Sequence, residues 1–143
     1  KALHTVSALI ELGAGLGLLG FPSATAGLLI GASLEGPPAL TVARVGGAGL
    51  LALGVACWLA RGDAQSPAAS GLVAAMLLYD VVAAAILAFA GIGFGLHGVA
   101  LWPAVVLHAV MAVWCGAWLR RSPPEVTRDG NLREQSNTEG GPE

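Results

Sequence analysis

Four ionisable side chains lie inside long apolar stretches of this sequence: Glu11, Arg44, Asp80 and His108. A charge at the centre of a membrane helix costs about 2.5–3.5 kcal/mol on insertion scales, so each of them is expected to have a partner or a function. We expect Arg44 to pair with Glu11 and Asp80, with His108 nearby. Such a network would line a proton path or a ligand pocket. The alternative is a polar latch that fixes the register of the helices and binds nothing.

The spacing of these four residues predicts that they lie at similar depths and face one another. At about 1.5 Å per helical residue, they fall roughly 13 to 22 Å from one membrane face. Each lies in a helical row of small or polar residues, which is typical of faces where membrane helices pack closely. The rows are His4, Ser7, Ala8 and Gly15 with Glu11; Ala48, Ala52, Ala56 and Ala60 with Arg44; Ala84 and Ala88 with Asp80; and Ala104, Ala112 and Gly116 with His108.

Five further side chains are secondary candidates for chemistry. His4 and His97 are predicted to lie near opposite membrane faces, in contact with water or headgroups. Tyr79 directly precedes the buried acid of its helix. Cys57 and Cys115 each lie shortly before the basic end of their helix, so we expect them to be close in space. They are interpreted as small apolar packing residues, with a redox pair as the alternative.

The composition excludes several classes of protein and site. The chain has 143 residues, of which 55% are hydrophobic and 11% charged, with a net charge of −2. A soluble domain carries about 25% charged residues, and a nucleic-acid-binding protein carries basic patches that are missing here. Two cysteines without CxxC spacing predict neither a disulfide framework nor a zinc site. We expect no catalytic residue, metal or cofactor, because a haem between two histidines needs two imidazoles at matching heights and His108 has no such mate.

The apolar segments predict an all-α fold, a bundle of four transmembrane helices within residues 1–121. A short fifth helix is expected over residues 24–30, with Ser23 as its N-cap. The polar segment 122–143 has too few apolar residues to fold alone, so we expect a disordered cytoplasmic tail. The predicted spans are about 3–20, 40–61, 69–91 and 101–119.

The basic residues predict how the chain crosses the membrane. Arg61, Arg120 and Arg121 lie at the ends of the second and fourth spans, whereas the links on the opposite side contain no Lys or Arg. The positive-inside rule therefore predicts that both termini are cytoplasmic, and Lys1 agrees. An alternative is that the first segment is a secretory signal with an A-x-A site at residues 24–26, but Glu11 in its apolar region argues against this.

Two resemblances to known families add to this interpretation. Residues 44–54, RVGGAGLLALG, resemble the DoxX-like group of small four-helix bacterial membrane proteins, some of which are tied to respiratory or redox complexes. That resemblance covers about residues 3–120 and implies a bacterial inner-membrane location. The chain is also similar in architecture to small multidrug transporters, which have a carboxylate central in the first span, at the place of Glu11. No catalytic residue carries over from either family.

Three functions are compatible with these features. The first is a non-enzymatic accessory or oligomerising subunit, with the lipid bilayer, a second copy or a membrane complex as its partner. The second is a dimeric proton-coupled transporter of a small molecule that uses Glu11 and Asp80. The third is a redox subunit that holds a quinone or haem among its helices.

Overall fold

The computed structural model describes residues 1–63 and 66–121, and within these ranges it contains helices and connections but no strand. Four long helices and one short helix follow one another along the chain. They are α1 (Ala2–Gly20), α2 (Pro22–Ile30), α3 (Gly36–Ala60), α4 (Pro67–Gly93) and α5 (Leu101–Arg121). The predicted all-α class is therefore confirmed. The expected tail 122–143 lies outside the described residues.

All four long helices are long and apolar enough to cross a membrane, with mean hydropathies between 1.5 and 2.4. Their outward faces carry large apolar side chains, including Val42, Leu59 and Val113, which are about three-quarters exposed. Water would disfavour such a surface, whereas lipid chains would solvate it. These helices indicate a multi-pass membrane protein. The short α2, at about 1.5 Å per residue, covers less than half of a bilayer's apolar core.

The helix ends follow local sequence signals. Ser66 caps α4, because its Oγ accepts a hydrogen bond of 3.1 Å from the backbone N–H of Ala69. The predicted N-cap of α2 is wrong, since α2 begins at Pro22, one residue before Ser23. Proline suits a first helical turn, where its missing N–H has no partner to lose. The hydroxyl of Ser23 instead donates to the carbonyl of Leu34 at 3.1 Å.

Helices α1 and α3 pack with their backbones nearly touching. A Cβ atom added to Gly15 would lie 2.8 Å from the carbonyl oxygen of Gly47 and 2.7 Å from the backbone nitrogen of Leu51. One added to Gly54 would lie 2.9 Å from the backbone nitrogen of Leu12. Helices α4 and α5 form a second closely packed pair, and backbone contacts between the two pairs are sparse. The bundle therefore consists of two tight pairs that meet along a looser seam.

One end of this seam is covered by α2. The backbone N–H of Ala100, in the connection between α4 and α5, donates to the carbonyl of Leu28 at 2.9 Å. Gly98 packs directly on the backbone of Leu29, where an added Cβ would clash. Helix α2 thus joins the end of one helix pair to the end of the other.

Toward the opposite end, apolar side chains from all four long helices meet in the seam. We call this group the apolar core cluster. Its sulfur-containing members are Cys57, Met76, Met111 and Cys115, soft and adaptable side chains that suit an irregular gap between helices. The full cluster is Leu3, Ala8, Cys57, Val73, Met76, Met111 and Cys115.

Candidate functional site

One helical turn beyond the apolar core cluster, three helices each bring a polar side chain into the seam. Glu11 follows Ala8 by three residues, and Asp80 follows Met76 by four. Helix α5 runs antiparallel to α1 and α4. His108 precedes Met111 by three residues, so it lies on the same side of the apolar core cluster as Glu11 and Asp80. Each step advances about 4.5–6 Å along the bundle. Glu11, Asp80 and His108 therefore share one level, which we call the polar layer.

Asp80 and His108 form a direct pair across α4 and α5. The distance from His108 Nδ1 to Asp80 Oδ1 is 2.8 Å, and the exposed fractions of the two side chains are 13% and 2%. A carboxylate oxygen can only accept, so with Asp80 ionised the hydrogen resides on His108 Nδ1, which donates it. Tyr79 packs edge-on against the imidazole, with ring centroids 5.5 Å apart at 83°. This contact holds the imidazole toward the acid.

A second buried carboxylate, that of Glu11, belongs to the polar layer but has no hydrogen bond to this imidazole. Glu11 is 2% exposed, and it lies within electrostatic range of both His108 and Asp80. Glu11 Oε2 and Asp80 Oδ2 are buried and have no hydrogen-bond partner. A buried polar group without a partner costs about 1–3 kcal/mol, so native proteins retain few of them. The polar layer has spare acceptor capacity for a proton or a cation.

His4 and Ser7 lie below Glu11 on the same face of α1, and both are 2% exposed. The prediction that His4 contacts water or headgroups is wrong. Its ring packs edge-on against Trp118 of α5, with centroids 5.9 Å apart, and neither ring nitrogen has a partner. The last turns of α5 cover the start of α1, which the sequence of α1 alone does not indicate. His97 is exposed in the connection before α5.

Arg44 does not join the polar layer, contrary to the sequence-based expectation. It is exposed on α3, and the pair of His108 and Asp80 is the only ion pair within the described ranges. Gly54 lies at the level of Leu12, next to Glu11, and Arg44 precedes Gly54 by ten residues. This separation is about 15 Å along the helix, which is beyond the reach of an arginine side chain. The polar layer therefore holds Glu11, Asp80 and His108 without the predicted arginine.

The helical rows predicted to pack inward have mixed outcomes. In α1, all companions of Glu11 are buried, and the rows of Asp80 and His108 are at least partly buried. In α3, Ala48 and Ala52 are exposed and Ala56 and Ala60 are partly buried, whereas the buried positions are Gly47, Gly54 and Cys57. Glycine permits the closest backbone approach, so the glycine row faces α1 and the alanine row turns away from it.

The two cysteines are buried in the same part of the seam. Cys57 and Cys115 both belong to the apolar core cluster, and both are free thiols. Over the described part of the chain, no three His, Cys, Asp or Glu side chains converge in a way that could hold a metal ion.

An apolar groove of about 700 Å³ runs along α3 and opens to the outside of the bundle. The sequence analysis did not predict this groove. Tyr79 reaches it from α4, so the same ring that packs on His108 also contacts the groove. Small residues along one side of α3 leave this space open. Their spacing in the sequence was the one signal from which the groove could have been predicted. The lining consists of Leu18, Gly46, Gly49, Leu50, Ala52, Leu53, Ala56 and Tyr79.

Comparisons with known proteins identify no relative of this chain. No protein-family model matches the sequence, no curated protein matches it, and no solved structure matches it. The resemblances of residues 44–54 and of Glu11 to known families therefore stay predictions. The polar layer is the feature from which a function can be inferred.

Proposed function

We propose that this chain is a proton-coupled transporter of small cations in a bacterial inner membrane, in which Glu11 and Asp80 carry the coupling protons. The observation that supports it best is the polar layer at the seam between two helix pairs, where a buried pair of Asp80 and His108 lies at the level of a second buried carboxylate, Glu11. Intramembrane acids and histidines in such positions are typical of proton relays in pumps and transporters.

The charge balance of the polar layer suggests competition between protons and substrate. With Asp80 ionised and His108 protonated, that pair is neutral, and an ionised Glu11 adds one uncompensated negative charge. A buried charge without a counter-charge is costly, so the layer favours either a proton on Glu11 or a cation beside it. Arrival of a cation would then release the proton, and arrival of a proton would release the cation. This exchange is the chemistry of an antiporter.

The arrangement of the helices fits this exchange. Glu11 belongs to the α1–α3 pair, whereas Asp80 and His108 belong to the α4–α5 pair, and backbone contacts between the pairs are sparse. A small relative movement of two rigid pairs would change the surroundings of the polar layer, as rocking does in known transporter folds. A chain of this size would work as a dimer.

The proposed orientation places both termini in the cytoplasm. The end of the bundle that holds the C-terminus of α5 carries Arg120 and Arg121 in the last helical turn. At the same end, the guanidinium of Arg61 lies 3.9 Å from the ring centroid of Trp58, an aromatic and basic pair typical of a membrane interface. Lys and Arg near membrane helix ends favour the cytoplasmic side.

The test uses purified full-length protein in a weakly buffered detergent solution, with tetraphenylphosphonium and ethidium as cationic probes. We expect binding to release about one proton for each cation bound, because both compete for the same site. Glu11→Gln should abolish this release. The matched control is Glu35→Gln, which changes an exposed carboxylate outside the long helices and should leave the release unchanged. Proton release that persists in Glu11→Gln, or that neither probe produces, would contradict the proposal.

A second candidate is the accessory or oligomerising subunit, and the groove along α3 favours it. Gly46, Gly49, Ala52 and Ala56 line this groove, and small residues on an exposed membrane helix allow another helix to pack closely. Purification in mild detergent separates the two candidates, since a different protein in stoichiometric amount would support the subunit. A visible absorption band in the same preparation would instead support the redox subunit with a bound pigment.

A further inference from the structure

A column of buried polar side chains leads from one end of α1 to the polar layer. His4, Ser7 and Glu11 are spaced by three and four residues, so each is a neighbour of the next on one helical face. All three are 2% exposed, although the surrounding seam is apolar. Three consecutive polar residues on an otherwise apolar inward face are costly unless they act together.

The column begins close to the membrane face. His4 lies in the first turn of α1, where Trp118 from the last turns of α5 packs against its ring edge-on. Both ring nitrogens of His4 are buried without a partner, as is Glu11 Oε2. An imidazole can accept a proton at one nitrogen and release another from the second nitrogen, which makes it suitable for a relay.

The seam on the far side of the polar layer offers no comparable path. There the side chain of Leu101 is fully buried, and Gly91 of α4 packs closely on it. Beyond them, Gly98 and Ala100 bind the backbone of α2 at Leu29 and Leu28. Close backbone contacts of this kind leave no room for a chain of polar groups.

We propose that His4 and Ser7 form a one-sided proton path between the membrane face at the start of α1 and Glu11. This inference rests on the proposed function, because Glu11 is the proton carrier in both. No hydrogen bond joins His4 to Ser7 in this conformation, so the path needs water that enters the looser seam between the two helix pairs. A proton from that water binds one nitrogen of neutral His4, and the proton on the other nitrogen passes through water to Ser7 Oγ. Ser7 gives its own hydroxyl proton to the Glu11 carboxylate. The net change is one proton transferred from water to Glu11. His4 and Ser7 stay neutral, and a flip of the imidazole ring then returns His4 from its other tautomer to the first.

The groups around this path are few and identifiable. His4 packs against Trp118 of α5, and Glu11 shares the level of the polar layer with His108 of α5 and Asp80 of α4. From α3, the thiol of Cys57 lies within electrostatic range of Glu11. Of these, Asp80 and His108 are paired with each other, so Glu11 is the acceptor at which the path ends.

The test measures proton uptake by the full chain in lipid nanodiscs after a rapid drop in pH, followed with a soluble pH dye. The part of the amplitude that Glu11→Gln removes belongs to Glu11. His4→Phe keeps the aromatic contact with Trp118 and removes both nitrogens. We expect it to slow this uptake by about 100-fold, the lower end of what a positioned proton-transfer group contributes. The final amplitude should stay unchanged, since Glu11 itself is intact.

Two further variants keep the experiment decisive. His97→Phe removes the exposed histidine at the other end and should leave the rate unchanged. Ser7→Ala removes one oxygen atom and should also slow proton uptake. If His4→Phe fails to fold, Ser7→Ala alone tests the path. An unchanged rate in Ser7→Ala and in any folded His4→Phe would overturn the path and leave Glu11 as the proton carrier. An unchanged amplitude in Glu11→Gln would overturn the path and the proposed function together.

Discussion

One carboxylate oxygen of Asp80 accepts a hydrogen bond from His108, and the other has no partner in the apolar seam. Glu11, its neighbour across the seam, has an unpaired oxygen as well. At the scale of single residues, this asymmetry distinguishes the polar layer from a closed structural network, in which each acceptor would have a donor. The stability of the bundle should therefore depend strongly on the one imidazole that the layer contains.

His108→Phe tests this dependence. Phenylalanine keeps the edge-on contact with Tyr79 but leaves the buried Asp80 without its donor. Because His108 retains some exposure, we expect a loss of about 2–3 kcal/mol in the free energy of unfolding, below the full cost of breaking a buried pair. Unfolding in mixed micelles with increasing SDS measures this free energy. His97→Phe, on an exposed histidine, should stay within about 0.5 kcal/mol of the unchanged protein. Equal stabilities of the two variants would show that the pair contributes nothing.

Arg44→Ala should have little effect on the same measurement. The side chain is exposed, and it has no acidic partner in the portion of the chain that the structure describes. We expect a change within about 0.5 kcal/mol, as for other exposed substitutions. A loss comparable to that of His108→Phe would mean that Arg44 pairs with an acid after all.

At the scale of helices, glycine determines which faces meet. Gly47 lies against Gly15, whereas its neighbour Gly46 lies where an added Cβ would have nothing within 4 Å. Adjacent residues on a helix differ by about 100° in direction, so one glycine of the pair permits close packing and the other lines the groove. The α1–α3 pair therefore depends on single positions within a run of small residues.

Gly47→Ala and Gly46→Ala form a matched pair of variants of α3. An added Cβ at Gly47 would lie 2.9 Å from the carbonyl oxygen of Gly15 and from the backbone nitrogen of Leu19. We expect this substitution to cost about 1–3 kcal/mol, because backbone atoms must separate to admit the methyl group.

Gly46→Ala should be neutral, or stabilising by up to about 1 kcal/mol through better helix propensity. Thermal unfolding of the detergent-solubilised protein compares the two variants. The proposed packing of α1 on α3 would be wrong if Gly46→Ala were the more damaging one.

At the scale of the whole molecule, the two ends of the bundle differ in construction. One end carries arginines and the start of the polar column, and the other is joined by α2 and the connection before α5. The connections around Asp63 and His97 flank α4, which is long and apolar enough to cross a membrane. They should therefore lie on opposite sides of the bilayer.

Cysteine labelling in intact cells that express the protein tests this topology. We expect a membrane-impermeant maleimide to label His97→Cys and to miss Asp63→Cys until the cells are lysed, because the arginine-rich end should be cytoplasmic. The unchanged protein is the control, since Cys57 and Cys115 are buried. Labelling of Asp63→Cys alone in intact cells would invert the orientation, and labelling of both would mean that α4 does not span.

The amino-acid sequence by itself determined the four long helices, because continuous apolar runs of about 20 residues have few other stable forms. It also indicated that Glu11, Asp80 and His108 lie at one level, since depth along a helix is counted from residue number. The same counting placed Arg44 too close to that level, because the offset of α3 against α1 is set by their glycine contacts. The rotation of α3 did not follow from the sequence, because alanine and glycine rows both fit a packed face. Only the tertiary structure decided that the glycines face α1, that Arg44 points away and that Trp118 covers His4. Each of these depends on backbone contacts between helices distant in sequence, which no single helical pattern contains.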